Sequence, residues 1–138
     1  MKGIFVDSNV ILDLFLNDHN WVKWSEATLN RYSITHTLYI NPIIYSEISI
    51  GFELIEELES AITGCDFQIL QLPKEALFLA GKAFVRYRKR KGKKSSPLPD
   101  FFIGAHAAVL GLEIITRDIS RYRSYFPTVK LITPENSQ

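Results

Sequence analysis

The chain is predicted to fold as an α/β domain, with a central parallel sheet of four to five strands and helices on both faces. Short apolar runs of strand length alternate with longer segments whose apolar residues recur every three to four positions, the period of a helix packed on one side. Strands that alternate with helices join by right-handed crossovers, which makes the strands parallel and leaves helices on both faces. The length of 138 residues suits one domain over 1–138 with a single core.

Each element follows from the local pattern. Lys2–Val6 reads as a buried strand. Val10, Ile11, Leu14 and Phe15 keep helical spacing, so a first helix is expected from Ser8 to about Leu16. After a turn at 18–20, Trp21, Val22, Trp24 and Leu29 suggest a second helix reaching about Tyr32. Residues 38–40 form a strand candidate, and Pro42 fits the first position of a third helix that ends near Gly51. Leu54, Leu58 and Ile62, spaced by four, mark a fourth helix stopped by Gly64. A strand-like run covers 67–70, and Pro73 starts a long fifth helix that fades at Gly92. Residues 95–99 read as loop, Asp100 to Leu110 as a sixth helix stopped by Gly111, and 113–116 as a strand. A short helix over 119–125 and a strand over 129–132 complete the expected order.

Composition removes several classes. An apolar share of 46% and a mean hydropathy of +0.02 belong to an ordinary globular chain rather than a disordered one. No apolar run approaches the roughly 20 residues of a membrane helix. Met1-Lys2-Gly3-Ile4 runs straight into the first strand without a signal peptide's apolar region. The single cysteine, Cys65, excludes an intrachain disulfide and is expected to pack inertly; together these features point to a cytoplasmic protein. The net charge of +1 conceals an asymmetry: seven of the sixteen basic residues fall within 86–94, leaving nine against fifteen acids elsewhere. That ribbon of Arg86, Arg88, Lys89, Arg90, Lys91, Lys93 and Lys94 reads as a grip for the phosphates of a polyanion, with Tyr87 available for stacking. It reads equally as a solvated helix end, where cations are favoured anyway.

Four acids stand at the ends of elements. Asp7 follows Ile4-Phe5-Val6, Glu47 interrupts the run from Ile43 to Ile48, Asp100 follows Pro97-Leu98-Pro99, and Asp118 follows Ile114-Ile115-Thr116-Arg117. Parallel open sheets bind ligands beyond the carboxyl ends of their strands, where strand order reverses. Asp7 and Asp118 would emerge on that edge, and the helices carrying Glu47 and Asp100 pack back across it. Gathered carboxylates repel and stay ionised together only with positive charge among them. A hard divalent cation, which prefers oxygen ligands, is the simplest such charge. Taken singly, each acid has an ordinary reading: Asp7 and Asp100 as helix caps, Glu47 on a wet helix face, Asp118 in a turn. Capping and ligation are compatible, because a carboxylate has two oxygens. Ile43, Ile44, Ile48 and Ile50 leave Glu47 little wet surface, and a carboxylate among isoleucines is costly unless paired or coordinated. The Thr116 hydroxyl, two residues before Asp118, could orient a water or a ligand. His106 lies six residues beyond Asp100, points away around the helix and is expected to pack or hydrogen-bond; His19 and His36 look like loop residues. No CxxC, P-loop, GxGxxG or Ser–His–Asp set is present.

Together these segments resemble the PIN domain, in the form found in VapC-type toxins of type II toxin–antitoxin pairs. The matching pieces are Val6-Asp7-Ser8-Asn9-Val10, Ser46-Glu47-Ile48, Leu98-Pro99-Asp100-Phe101-Phe102-Ile103-Gly104-Ala105-His106-Ala107 and Thr116-Arg117-Asp118. The tail Arg121-Tyr122-Arg123-Ser124-Tyr125-Phe126-Pro127, followed by Leu131-Ile132-Thr133-Pro134, is also typical. The resemblance spans essentially the whole chain and implies a PIN-like three-layer sandwich. It implies an Mg²⁺- or Mn²⁺-dependent endoribonuclease, held inactive by a cognate antitoxin and homodimeric. Asp7, Glu47, Asp100 and Asp118 match the family's acidic positions, the fourth of which varies, and Thr116 matches its frequent hydroxyl neighbour. The implied chemistry is metal-assisted phosphodiester hydrolysis with one or two ions. Asp7 and Asp100 would bind directly; Glu47 and Asp118 would bind directly, through water, or to a second ion.

Two other classes compete. A receiver-like phosphotransfer domain needs an acceptor Asp after the middle strand, where this chain has Leu70-Gln71-Leu72. A non-catalytic RNA- or protein-binding module would keep the scaffold without the chemistry. Phe15, Trp21, Trp24, Leu54 and Leu58 exceed the obvious needs of a small core and are expected to contribute to an antitoxin groove, with an antitoxin Arg or Lys reaching the carboxylates.

Overall fold

The computed structural model describes residues 2–91 and 98–134, without the side chain of Lys91. Five strands, β1 (Lys2–Val6), β2 (His36–Ile40), β3 (Gln68–Ile69), β4 (Glu113–Ile115) and β5 (Leu131–Ile132), form one sheet in the order β3-β2-β1-β4-β5. Every pairing is parallel, with Ile4 opposite Leu38 on one side of β1 and Val6 opposite Ile115 on the other. Six α-helices lie among the described residues: α1 (Ser8–Phe15), α2 (Val22–Thr35), α3 (Pro42–Ile48), α4 (Ile55–Gly64), α5 (Lys74–Lys91) and α6 (Leu98–Leu110).

From β1 the chain steps outward to β2 and β3, then returns through α5 and α6 to β4 on the other side of β1. Right-handed crossovers running in opposite directions place the two sets of helices on opposite faces. Accordingly α1 packs on α2 and α3, and α5 packs on α6. The reversal falls between β1 and β4, the type of place where open parallel sheets bind ligands, and α3 also contacts α6. This order differs from the 2-1-3-4-5 order of receiver-like sheets, which removes the phosphotransfer rival.

The central strands are apolar where both faces are covered: Ile4, Phe5, Val6, Ile114 and Ile115 have no exposed surface. Asn41 caps α3, its side-chain oxygen accepting from the Ile44 N–H at 2.9 Å, with Pro42 at the first turn. His106 is buried; its Nδ1 lies 3.1 Å from Asn41 Nδ2 and its ring 4.8 Å from that of Phe5, so it packs and hydrogen-bonds as expected. At Gly104 a Cβ would collide with the Phe126 ring, so the absent side chain sets how closely α6 approaches that segment.

Several expectations change: His36 opens β2 rather than lying in a loop, and the strand expected over 67–70 shortens to Gln68–Ile69. Leu98 and Pro99 are already helical, Pro being well suited to a first turn, so Asp100 lies inside that turn rather than capping it; residues 95–97 of the expected loop lie outside the described residues. The helix expected over 119–125 is a single 3-10 turn, Ile119–Arg121, followed by turns. Tyr122 and Phe126 are buried, but the chain does not stay helical between them. The final strand shortens to Leu131–Ile132. Tyr87 is unavailable for stacking on a base: it is buried among Phe84, Phe101 and Tyr125, where it ties α5 to α6.

Candidate active site

Asp7 leaves β1 at the reversal and caps α1, its carboxylate accepting from the Ser8 N–H at 2.8 Å. Its own N–H donates to the Ile115 carbonyl at 2.9 Å, which ties the exit of β1 to that of β4. Asp7 has no exposed surface, and burying a charge there is tolerable only because it is densely solvated by the protein. The Thr116 hydroxyl donates to Asp7 Oδ2 at 2.8 Å and the Tyr122 phenol to the same oxygen at 2.7 Å. Burial, and then the Asp7 charge, push the Tyr122 phenol well above its ordinary range, which keeps it a protonated donor. Thr116 in turn accepts from the Asp118 N–H at 3.0 Å and from Asn9 Nδ2 at 3.4 Å.

Glu47 arrives on α3 and accepts from the Ser8 hydroxyl at 2.8 Å, so Ser8 links the first helix to the third. Its side chain is 26% exposed, more open than its isoleucine neighbours in sequence suggest. Asp100 comes from the first turn of α6 and is buried.

Asp7, Glu47 and Asp100 converge on one guanidinium. Arg121 Nη1 lies 3.2 Å from both oxygens of Asp7, Nη2 lies 3.4 Å from Glu47 Oε2, and Nε donates to Asp100 Oδ1 at 2.8 Å. Nη2 also bonds Asp100 Oδ1. Burial opposes the charge on Arg121, yet Asp7 and Asp100 outweigh it and push the group far above its usual range. Three carboxylates against one guanidinium still leave two negative charges in excess.

Asp118 is drawn in less far. Its carboxylate accepts from the Ser120 hydroxyl at 2.7 Å, whereas the Arg121 guanidinium is shared among the other three acids. In the sequence, Arg121 and Tyr122 stand out only as part of a tail motif. Nothing local marks them, because their role depends on where β4 delivers the chain.

The basic ribbon lies on α5. Arg86, Arg88, Lys89 and Arg90 are exposed, and Arg90 sits over the Tyr125 ring at 5.6 Å. The side chain of Lys91, and Lys93 and Lys94 entirely, lie outside the described residues. Of the residues expected in a partner groove, Leu58 belongs to the core, while Phe15, Trp21 and Trp24 are half-buried. Leu54 is exposed and adjoins exposed Ile55 at a cleft of about 210 Å³ that Tyr45 and Phe52 also line.

The donors at the reversal are anionic oxygens, the kind a hard dication takes. Their present arrangement is not a ready cage: among the described residues no group of three or more His, Cys, Asp or Glu side chains is set to hold an ion. The space between the carboxylates is filled by Arg121. The donor chemistry therefore fits a hard dication.

Comparison with known proteins agrees with this architecture. The model of the PIN domain matches residues 4–125. The structure of VapBC2 from Rickettsia felis, bound to a DNA fragment from its promoter, contains a chain similar in fold: TM-score 0.71, 18% identity, 94% of this chain and 97% of that one covered. A toxin–antitoxin complex from Klebsiella pneumoniae gives a TM-score of 0.67 at 22% identity, covering 96% and 98%. FitAcB from Neisseria gonorrhoeae gives 0.64 at 23% identity, covering 96% and 99%. No curated protein matches the sequence. The match over residues 4–125 decides the family: the chain belongs to the PIN domain family.

Proposed function

We propose that the chain is a metal-dependent endoribonuclease, the VapC-type toxin of a toxin–antitoxin pair, working as a single domain over 1–138 in the cytoplasm. The observation that carries this reading is the convergence of Asp7, Glu47 and Asp100, from three separate elements, on one cation position at the sheet reversal. Such an arrangement costs stability unless something else requires it, since hydrophobic residues would fill the same volume more cheaply.

Asp7 and Asp100 would hold Mg²⁺ or Mn²⁺ directly, with Glu47 closing the third side and Asp118 reached through water or at a second ion. A bound dication supplies a water of lowered pKa and offsets charge on the phosphoryl oxygens. The chain's own residues do the rest. Thr116 and Tyr122 fix the Asp7 carboxylate by two short bonds, and Ser8 fixes Glu47, so the acids keep their directions without reorganising. The exposed Arg86, Arg88, Lys89 and Arg90, with Lys91, Lys93 and Lys94, would draw RNA phosphates toward an otherwise acidic body. A cognate antitoxin would cover the exposed apolar residues Leu54 and Ile55, and the chain would form a homodimer. Among the described residues no helix is long and apolar enough to cross a membrane.

The test is cleavage of single-stranded RNA by the purified chain with Mg²⁺, Mn²⁺ or EDTA, beside Asp7→Asn. Ion-dependent cleavage that the variant lacks is expected; full cleavage by a folded Asp7→Asn contradicts the assignment. One observation favours a second reading: Arg121 already neutralises part of the cup, as it would in a non-catalytic RNA- or protein-binding module. RNA binding unaffected by EDTA, with no cleavage under any ion, would favour that module.

A further inference from the structure

We infer that Arg121 is an internal plug: its guanidinium holds the dication position of the carboxylate cup, and a divalent ion enters only by displacing it. The inference rests on the metal-dependent reading above and specifies how that site is regulated.

Lone-pair accounting at Asp7 makes the two cations exclusive. A carboxylate offers about four acceptor sites. Asp7 already accepts from the Ser8 N–H, more weakly from the Ser8 hydroxyl at 3.4 Å, from the Thr116 hydroxyl, the Tyr122 phenol and Arg121 Nη1, the last through both oxygens. The first three residues are fixed: Ser8 by the start of α1, Thr116 by the end of β4, Tyr122 by complete burial. Arg121 alone reaches Asp7 on a long, rotatable side chain, so only its withdrawal frees oxygen for a metal. The same group also occupies Asp100 Oδ1 and Glu47 Oε2, so one displacement opens all three acids.

Two further features suit a group that leaves. Arg121 ends a 3-10 turn of three residues rather than a helix, and its side chain keeps 16% exposure at the rim. The two negative charges left in excess supply attraction for a dication even while the plug is in place. The position expected for an antitoxin's Arg or Lys is thus filled from within the chain.

The test is calorimetric titration of Mn²⁺ into the full chain, Arg121→Gln, and Arg123→Gln as an exposed control outside the cup. Arg121→Gln should bind Mn²⁺ at least about tenfold more tightly, with Arg123→Gln like the parent. Equal or weaker binding by Arg121→Gln overturns the plug. If Arg121→Gln unfolds in EDTA, recovery with Mn²⁺ but not with NaCl supports the plug. If it does not fold with either, the parent chain decides through the ¹⁵N signal of the Arg121 Nε–H, assigned with Arg121→Lys. That signal should be protected in EDTA and lost at saturating Mg²⁺; Mg²⁺ binding that leaves it unchanged overturns the plug. RNA cleavage measured in parallel separates the two readings. Tighter Mn²⁺ binding by the variant without cleavage by either protein keeps the plug and removes the nuclease. Cleavage by the parent with identical affinities does the reverse.

Discussion

Arg117 and Arg121 lie four residues apart after β4, and each forks onto buried acid, yet they do different work. Arg117 meets one partner: its Nε and Nη2 bond the two oxygens of Asp13 at 2.8 and 3.0 Å, and its plane lies 4.9 Å over Trp21. Asp13 completes its shell with the Ser25 hydroxyl at 2.7 Å. One charge answers one charge in bidentate geometry, and the pair fastens the loop after β4 to α1 and α2. Arg121 is divided among three acids from β1, α3 and α6, with longer bonds to two of them and negative charge left over. A matched pair is a structural fastener. The unmatched cluster around one cation is the candidate site.

The largest effect should separate these regions by chemistry. Asp100→Asn should lower ion-dependent RNA cleavage by more than about 100-fold, beyond the usual loss from changing an outer partner of a metal ligand, while thermal unfolding stays cooperative. Arg117→Gln should leave cleavage within a few-fold. Comparable losses in both variants would erase the distinction.

Next is stability. Asp13→Ala leaves the Arg117 guanidinium without its carboxylate and should cost about 3 kcal/mol, the low end for breaking a buried pair because Arg117 stays partly solvated. Urea unfolding measures it; a change below about 1 kcal/mol would mean the pair is an ordinary surface bridge.

How much of the molecule is legible in its sequence is clearest from particular residues. Asp7, Glu47 and Asp100 stand out because each interrupts or bounds an apolar run, and the sheet follows from the alternation of periods. Tyr87 misleads because its basic neighbours suggest a wet face, although Ala76, Ala80, Ala83 and Tyr87 keep helical spacing and are all buried. Arg121 is hidden, since a long cation's partners are fixed by tertiary placement, and the sequence holds sixteen basic residues to choose among. Asp118 has the right place along the chain, but its carboxylate turns to Ser120.

Acidification brings a third buried group, His106, into the comparison. Burial lowers the His106 pKa from about 6.5 to about 4. The folded state therefore holds His106 neutral where the unfolded chain binds a proton, so stability is present above pH 6.5 and lost as pH falls toward 4. By pH 5 the loss should be about 2 kcal/mol, read from urea midpoints and reduced in His106→Gln. An unchanged pH dependence in that variant would move the acid sensitivity to the carboxylate cup.

The smallest effect concerns the ribbon. Replacing Arg86, Arg88 and Arg90 with Gln should weaken RNA binding a few-fold. It should also flatten the slope of log affinity against log salt by about 0.7 for each phosphate no longer neutralised. An unchanged slope would make the ribbon a solvated helix end.

The most direct measurement is anomalous scattering from Mn²⁺ in crystals of the chain, at an ion concentration that supports cleavage. One ion is expected within about 2–2.5 Å of oxygens from both Asp7 and Asp100, with the Arg121 guanidinium moved out. Strong Mn²⁺ peaks elsewhere, with Arg121 still bridging the three acids under those conditions, would contradict a dication site in the cup.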